Sequence, residues 1–221
     1  WAVKNDGILK GRLFLDTVNQ YLEHELKVDN LKIEDIYYYR NLGIGPTGIL
    51  SADLYGSGTF NDFNSRNKIW VRESEVGNKK IGDSNLTIYS TSKKIYINGF
   101  VSNDLVTFDS LLDFNDKKES FANLKVNSKE IRLLAGLLSA HNVNDGNLSG
   151  RMKFSFQSKF LIKELDKLNL NITLDDFYLI KDGYFLGLEQ TKNKAEIKKG
   201  NLKEWSFSLK GTDNYIKSSG L

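Results

Sequence analysis

The stretch "LNLNITLDDFYLIKDG" occupies residues 168–183 and carries the clearest secondary-structure signal in the chain. Leu168, Leu170, Ile172 and Leu174 fall on every second position, with Asn169, Asn171 and Thr173 between them. Successive side chains of a β-strand point to opposite faces, so this spacing describes a strand with one apolar and one polar face. After Asp175 and Asp176 the apolar phase moves by one residue, to Phe177. A one-residue slip turns every side chain of a strand over, so the paired aspartates call for a bulge or a turn.

The same period recurs outward from this stretch. It links Leu26 with Val28, Leu31 with Ile33, Ile69 with Val71, Leu86 with Ile88, Ile95 with Ile97, Leu112 with Phe114 and Leu124 with Val126. It continues through Met152, Phe154 and Phe156, and through Trp205, Phe207 and Leu209. Asn, Asp, Gly or Ser bounds each run, which predicts half-buried antiparallel strands, about twelve to fourteen of them, in a meander or a sandwich. Eighteen glycines against a single proline, Pro46, suit a long sheet with many reversals, because glycine supplies positive φ in turns and proline breaks a ladder.

One segment departs from the period. In "NSKEIRLLAGLLSAH" (127–141), Ile131, Leu134, Ala135 and Leu138 share a helical face, and Asn127 and Glu130 stand as a capping pair. This predicts a short amphipathic helix near 129–140. In "DTVNQYLEHEL" (16–26) and "SKFLIKELDKL" (158–168) the period is ambiguous between strand and helical turn.

The chain also echoes itself. "DGILKGRLFLD" (6–16) and "DGNLSGRMKFS" (145–155) share Asp, Gly, Leu, Gly and Arg in register. Both continue into an alternating strand that meets an acidic pair, Glu34-Asp35 or Asp175-Asp176, and then into "TGILSADLYGSG" (47–58) or "KGNLKEWSFSLKG" (199–211). The expected organisation is a first β repeat over 1–144, with the helix at its end, and a partial second repeat over 145–221. Units of this kind bury apolar faces against their neighbours, so one continuous elongated sheet is expected. Arg12 and Arg151 then belong on the solvent face.

Composition bounds the function. With 31 basic and 28 acidic residues among 221, the net charge is +3, and no basic run has the length that nucleic-acid or polybasic membrane binding requires. "NKKIG" and "EIKKGNLK" read as solvated turns. There is no cysteine, which excludes disulfides and thiolate chemistry. The chain opens on Trp1 without a signal peptide or an apolar run of spanning length, and is expected to be a fragment of a longer protein.

A search for chemistry finds no nucleophile with its base, no metal set and no cofactor motif, so the chain is not expected to be an enzyme. His24 and His141 are the only histidines. His24, in "YLEHEL", reads as an exposed side chain with Glu23 and Glu25 on the opposite strand face, and His141 as a residue at a helix C-terminus. "GIGPTG" (43–48) lacks the lysine of a phosphate loop and leads into a strand. The tyrosines of "IYYYR" (36–40) read as strand residues with amphipathic tips, or else as a ligand-lining or sugar-stacking set.

The order of a "GxLxG" strand, an alternating strand with a polar break, a "KAEIKKGNLKEWSFSLKGTDNYIKSSG" strand pair and a leucine-rich helix resembles the AsmA-like superfamily, most of all the TamB proteins of diderm bacteria. The likeness is best over 124–221 and extends to "KKIGDSNLTIYSTSKKIYINGFV" (79–101). What it implies is a β-taco, an elongated, curled antiparallel sheet with an apolar concave groove. It also implies a periplasmic location with an inner-membrane anchor outside this chain, a part in phospholipid transport and outer-membrane biogenesis, and an outer-membrane barrel partner of the Omp85 type. On that expectation phospholipid acyl chains are the ligand, since burial of each CH₂ gains about 0.8 kcal/mol and a groove needs only an apolar wall.

The expected wall is Ile95, Ile97, Leu112, Phe114, Leu124 and Val126, then Met152, Phe154 and Phe156, then Leu170, Ile172 and Leu174, then Phe207 and Leu209. The competing expectation is a repetitive extracellular β-protein that binds a protein or carbohydrate partner without a lipid groove; in a closed sandwich the same residues would be its core.

Overall fold

In the computed structural model, which describes residues 2–4, 7–36, 47–76, 79–132, 148–189 and 193–220, the alternating stretches are antiparallel strands. The chain is mainly β and almost free of helix. It divides into two units, Trp1–Asn103 and Asp104–Leu221. The repeat boundary expected at 144/145 lies outside the described residues, as does most of the helix expected at 129–140. Only its first turn is seen, with Ile131 and Arg132 helical.

The first unit holds β1 (Ala2–Lys4), β2 (Gly7–Asp16), β3 (Tyr21–Lys32), β4 (Thr47–Thr59), β5 (Asp62–Val76), β6 (Lys79–Lys80), β7 (Ser84–Thr91) and β8 (Lys94–Val101). Successive strands pair, except that β5 takes both β6 and β7. The second unit holds β9 (Val106–Asp113), β10 (Ser120–Ser128), β11 (Ser149–Phe160), β12 (Asn169–Lys181), β13 (Tyr184–Leu188), β14 (Asn193–Lys198), β15 (Asn201–Gly211) and β16 (Tyr215–Gly220). Here β12 is long enough to pair with β13 near one end and β14 near the other, and β15 closes on both before pairing β16. Among the described residues the strands number sixteen, because short ones such as β1 and β6 carry too few residues to show a period.

Both ambiguous stretches are now settled. "DTVNQYLEHEL" is a turn running into β3, and "SKFLIKELDKL" leaves β11 for a 3-10 segment at Ile162–Lys167. The acidic pairs differ between the copies. At Asp175 the register of β11 against β12 shifts, Lys153 facing Asp176 and Phe154 facing Leu174, which is the bulge that the phase change implied. At Glu34-Asp35 the chain instead makes a 3-10 turn, Ile33–Asp35.

Further register shifts occur where no acidic pair announces them. In β3 the shift falls between Val28 and Leu31; Asn30 there takes positive φ, receives a hydrogen bond from Arg72 and donates its N–H to Ser51 Oγ. In β15 Lys203 is the extra residue, between Leu202 and Glu204.

The turns follow local chemistry. Asp182-Gly183 between β12 and β13, and Lys199-Gly200 between β14 and β15, both have positive φ at two successive residues, the requirement of the tight hairpin turn whose twist matches the strands. Gly200 also packs so close that a Cβ would run into the carbonyl oxygen of Asp166. Replacing Gly200 by Ala is expected to cost about 1–3 kcal/mol, read as a lower denaturant midpoint in urea unfolding.

At the β2–β3 turn the Asp16 carboxylate accepts hydrogen bonds from the N–H groups of Val18 and Asn19, each at 3.0 Å, and from the Asn19 amide at 2.7 Å. The Asn19 backbone bond foremost, then its side chain, holds the Asp16 pKa below its ordinary value. The turn is therefore fully stabilised above the ordinary Asp range and loses that support as the pH falls through the lowered folded value. An NMR titration of the Asp16 carboxyl should place its midpoint below that of an unperturbed aspartate, with Asn19 amide exchange accelerating on protonation.

Candidate apolar binding face

Residues directly opposite one another in an antiparallel pair project from the same face of the sheet, so the register assigns every strand residue to a side. In the second unit one line runs Phe108, Leu124, Phe156, Ile172, Ala195 and Trp205, a side chain from each of β9, β10, β11, β12, β14 and β15. Beside it run Val106, Val126, Phe154 and Leu174 on one flank and Leu170, Ile197 and Leu202 on the other. Met152 faces Phe177 and Leu209 faces Leu188; Leu112 and Phe207 share this side by parity along their strands.

The sequence candidates of the second unit thus fall on one face, with one exception. Phe114 lies past the end of β9 and is exposed, because β9 ends at Asp113, whose N–H donates a hydrogen bond to Ser120 Oγ and whose carboxylate accepts one from the Asn115 N–H at the turn.

The first unit has its own apolar side. Leu9, Val28, Ala52, Ile69 and Leu86 form one line, and Leu26, Leu54, Asn67, Ile88 and Ile97 the next. Ile95 sits in a more polar line with Ser90, Ser65, Gly56 and His24. His24 is therefore not the exposed side chain expected from its neighbours. It is half-buried on the apolar side, stacked on Phe63 at 5.8 Å over Gly56, where a Cβ would strike both rings. That stack depends on the pairing of three strands, and no local signal in "YLEHEL" reveals it.

These faces are open. Among the described residues only seven apolar side chains are buried, Val28, Ile33, Ala52, Ile81, Leu105, Val126 and Leu209, against nine polar ones. Two packed sheets would bury most of the inward side chains of both, whereas here Phe154, Phe156, Ile172 and Leu174 remain half-buried. A small buried cluster joins Leu105 and Val126, with Val106, Met152 and Phe154 against them.

The opposite faces are polar and paired. Arg12 reaches Glu23 at 2.6 Å and Arg151 reaches Asp176 at 2.6 Å, and both arginines are more than half exposed, on the solvent side as expected. Ser155 and Thr173 share a hydrogen bond of 2.6 Å, and Lys194 meets Glu204 at 2.7 Å; the Glu204 hydrogen bond raises the Lys194 pKa. A line of Tyr55, Arg66, Tyr89 and Tyr96 crosses the first unit. Arg66 lies over the Tyr89 ring at 5.6 Å, and Tyr89 stacks against Tyr96 at 6.4 Å. The tyrosines at 37–39, like His141, lie outside the described residues.

Among the described residues no group of three His, Asp or Glu side chains could hold a metal ion, and no helix is long and apolar enough to cross a membrane. The recess lined by Asn169, Asn171, Glu196, Lys198 and Lys203 belongs to the polar side, where Lys198 is already paired with Glu196 at 2.8 Å. No protein-family model, curated protein or solved structure matches the chain.

An open face has a measurable signature. Phe156→Ala should lower stability by less than about 2 kcal/mol, against roughly 3–5 kcal/mol for truncating a fully buried phenylalanine, as measured by chemical denaturation.

Proposed function

We propose that this chain carries phospholipid acyl chains on the apolar face of its sheet, as a periplasmic segment of a TamB-like protein that moves lipid between the inner and outer membranes. The observation that supports the reading best is the line from Phe108 to Trp205, apolar across six strands and half-exposed. A water-soluble protein rarely leaves so large an apolar surface without an occupant. An acyl chain fits the chemistry of this surface, because it needs a continuous apolar wall and no donor or acceptor. The polar side supports solvation of the other face. On this reading the sheet curls around its cargo, an anchor outside the chain holds the inner membrane, and an outer-membrane barrel receives the far end.

Lipid extraction and native mass spectrometry of the purified chain should find co-purifying phospholipid. Ile172→Asp should empty the face while leaving the circular dichroism spectrum unchanged, since a carboxylate on a half-exposed strand position can still reach water. Unfolding of that variant, or a lipid-free parent protein, would sink the reading.

A further inference from the structure

Strand β2 breaks its own alternation at one end. Leu13, Phe14 and Leu15 are consecutive, so β2 is apolar on both faces there, and exposure reaches 72% at Leu13, 52% at Phe14 and 53% at Leu15. A run of exposed apolar residues on both sides of a strand serves no one-sided core. The second copy of the echo lacks it. Where the first has Phe14 on the polar side, two residues after Arg12, the second has Lys153, two residues after Arg151.

The apolar surface continues onto the turns. Val18, at the β2–β3 turn, is 88% exposed, and Phe60, at the β4–β5 turn, is 61% exposed. Neither is on a floppy loop. Val18 is held by the Asp16 bonds described above, Phe60 N–H donates to the Gln20 carbonyl at 3.1 Å, and Asp62 N–H donates to Thr59 Oγ1 at 3.2 Å. The β7–β8 turn joins the row through Ser92 Oγ, which donates to Asp62 at 3.1 Å, and is itself tied by Lys93 and Lys94 N–H groups to Thr91 Oγ1. Three stapled hairpin tips therefore stand side by side, two bearing an apolar side chain and the third carrying Lys93 and Lys94.

We propose that this row of tips is a membrane-contact surface, with Val18 and Phe60 entering the boundary between headgroups and acyl chains of a lipid bilayer. The tips place their apolar groups on separate, exposed turns, an arrangement that a fluid lipid phase accommodates without a matching pocket. Phe14 and Tyr21, 6.3 Å apart, stand one level back, the depth at which aromatic rings favour the interface. Lys93 is exposed and supplies charge for lipid phosphates, while the carboxylates of Asp16 and Asp62 accept hydrogen bonds within the turns. Binding of this kind adds apolar burial to attraction for anionic lipid. It is independent of lipid carriage on the sheet face.

Flotation with vesicles of phosphatidylethanolamine and phosphatidylglycerol tests it. The chain should float with the vesicles, and Val18→Asp combined with Phe60→Asp should weaken partitioning about tenfold or more. Both positions are exposed, so circular dichroism should be unchanged. Lys93→Glu should weaken binding at low salt and less at high salt. In a Val18→Trp variant the indole emission should shift to the blue on adding vesicles.

Failure of the parent chain to float, equal binding by the double variant, or an unshifted V18W emission would overturn the proposal. So would self-association in sedimentation velocity that the double variant abolishes, since the tips would then join copies of the chain. Ile172→Asp should float like the parent. Loss of co-purifying lipid with flotation intact therefore bears on carriage alone, and loss of flotation with co-purifying lipid intact bears on the tips alone.

Discussion

The backbone ladder, and the register it holds, is the constraint on which the rest of this protein depends. In an open sheet nothing but register decides which side a residue faces, and a slip of one position would carry the apolar set into the solvent face. Where the strands must bend or change phase, the apolar spacing widens from two residues to three. It does so from Val28 to Leu31, from Leu174 to Phe177 and from Leu202 to Trp205. Each added position falls among polar residues at Asn30, Asp175 and Lys203. The bulge disturbs the ladder locally and keeps the apolar side intact beyond it.

A sheet side left open must hold together without a closed core. Among the described residues the most fully buried side chains are small and polar, Asp113, Ser120 and Ser208, and they close turns and crossings. The Ser208 N–H, for example, donates to the Asn193 side chain, and its hydroxyl reaches Glu189 at 2.6 Å. Cross-strand pairs add about 0.2–1 kcal/mol each. The exposed ion pairs on the polar side add little stability, about 0–1 kcal/mol each, and matter more for orientation. Glu196 and Glu204 lie directly opposite one another, yet Lys198 and Lys194 take one carboxylate each.

The repeated Gly-Arg pair acquires a physical meaning from the same geometry. Gly11 faces Leu26 and Gly150 faces Leu179, both on the apolar side. Arg12 faces Glu25 and bonds Glu23; Arg151 faces Tyr178 and bonds Asp176. In both copies the guanidinium reaches diagonally to the residue two positions before its direct partner. The echo is therefore one cross-strand unit built twice, and it belongs to the scaffold. The places where the pattern is broken, at Phe14, Val18 and Phe60, are where apolar surface is offered outward.

Much of this was legible along the chain, because the period of a strand is local chemistry. Alternation alone told that Phe154, Phe156, Ile172 and Leu174 lie on one side of their strands, and the phase change after Leu174 announced the bulge at Asp175. Local spacing carried the β class, the two-faced strands and the change of phase at the paired aspartates. Which strands are neighbours, and so which apolar residues form a continuous line, was set by pairing across the sheet. The tertiary structure also seated His24 on Phe63, ended β9 before Phe114 and brought three hairpin tips together. Those outcomes rest on hydrogen bonds and stacking between residues far apart in the chain, and the spacing of side chains within a single strand carries no record of its partner.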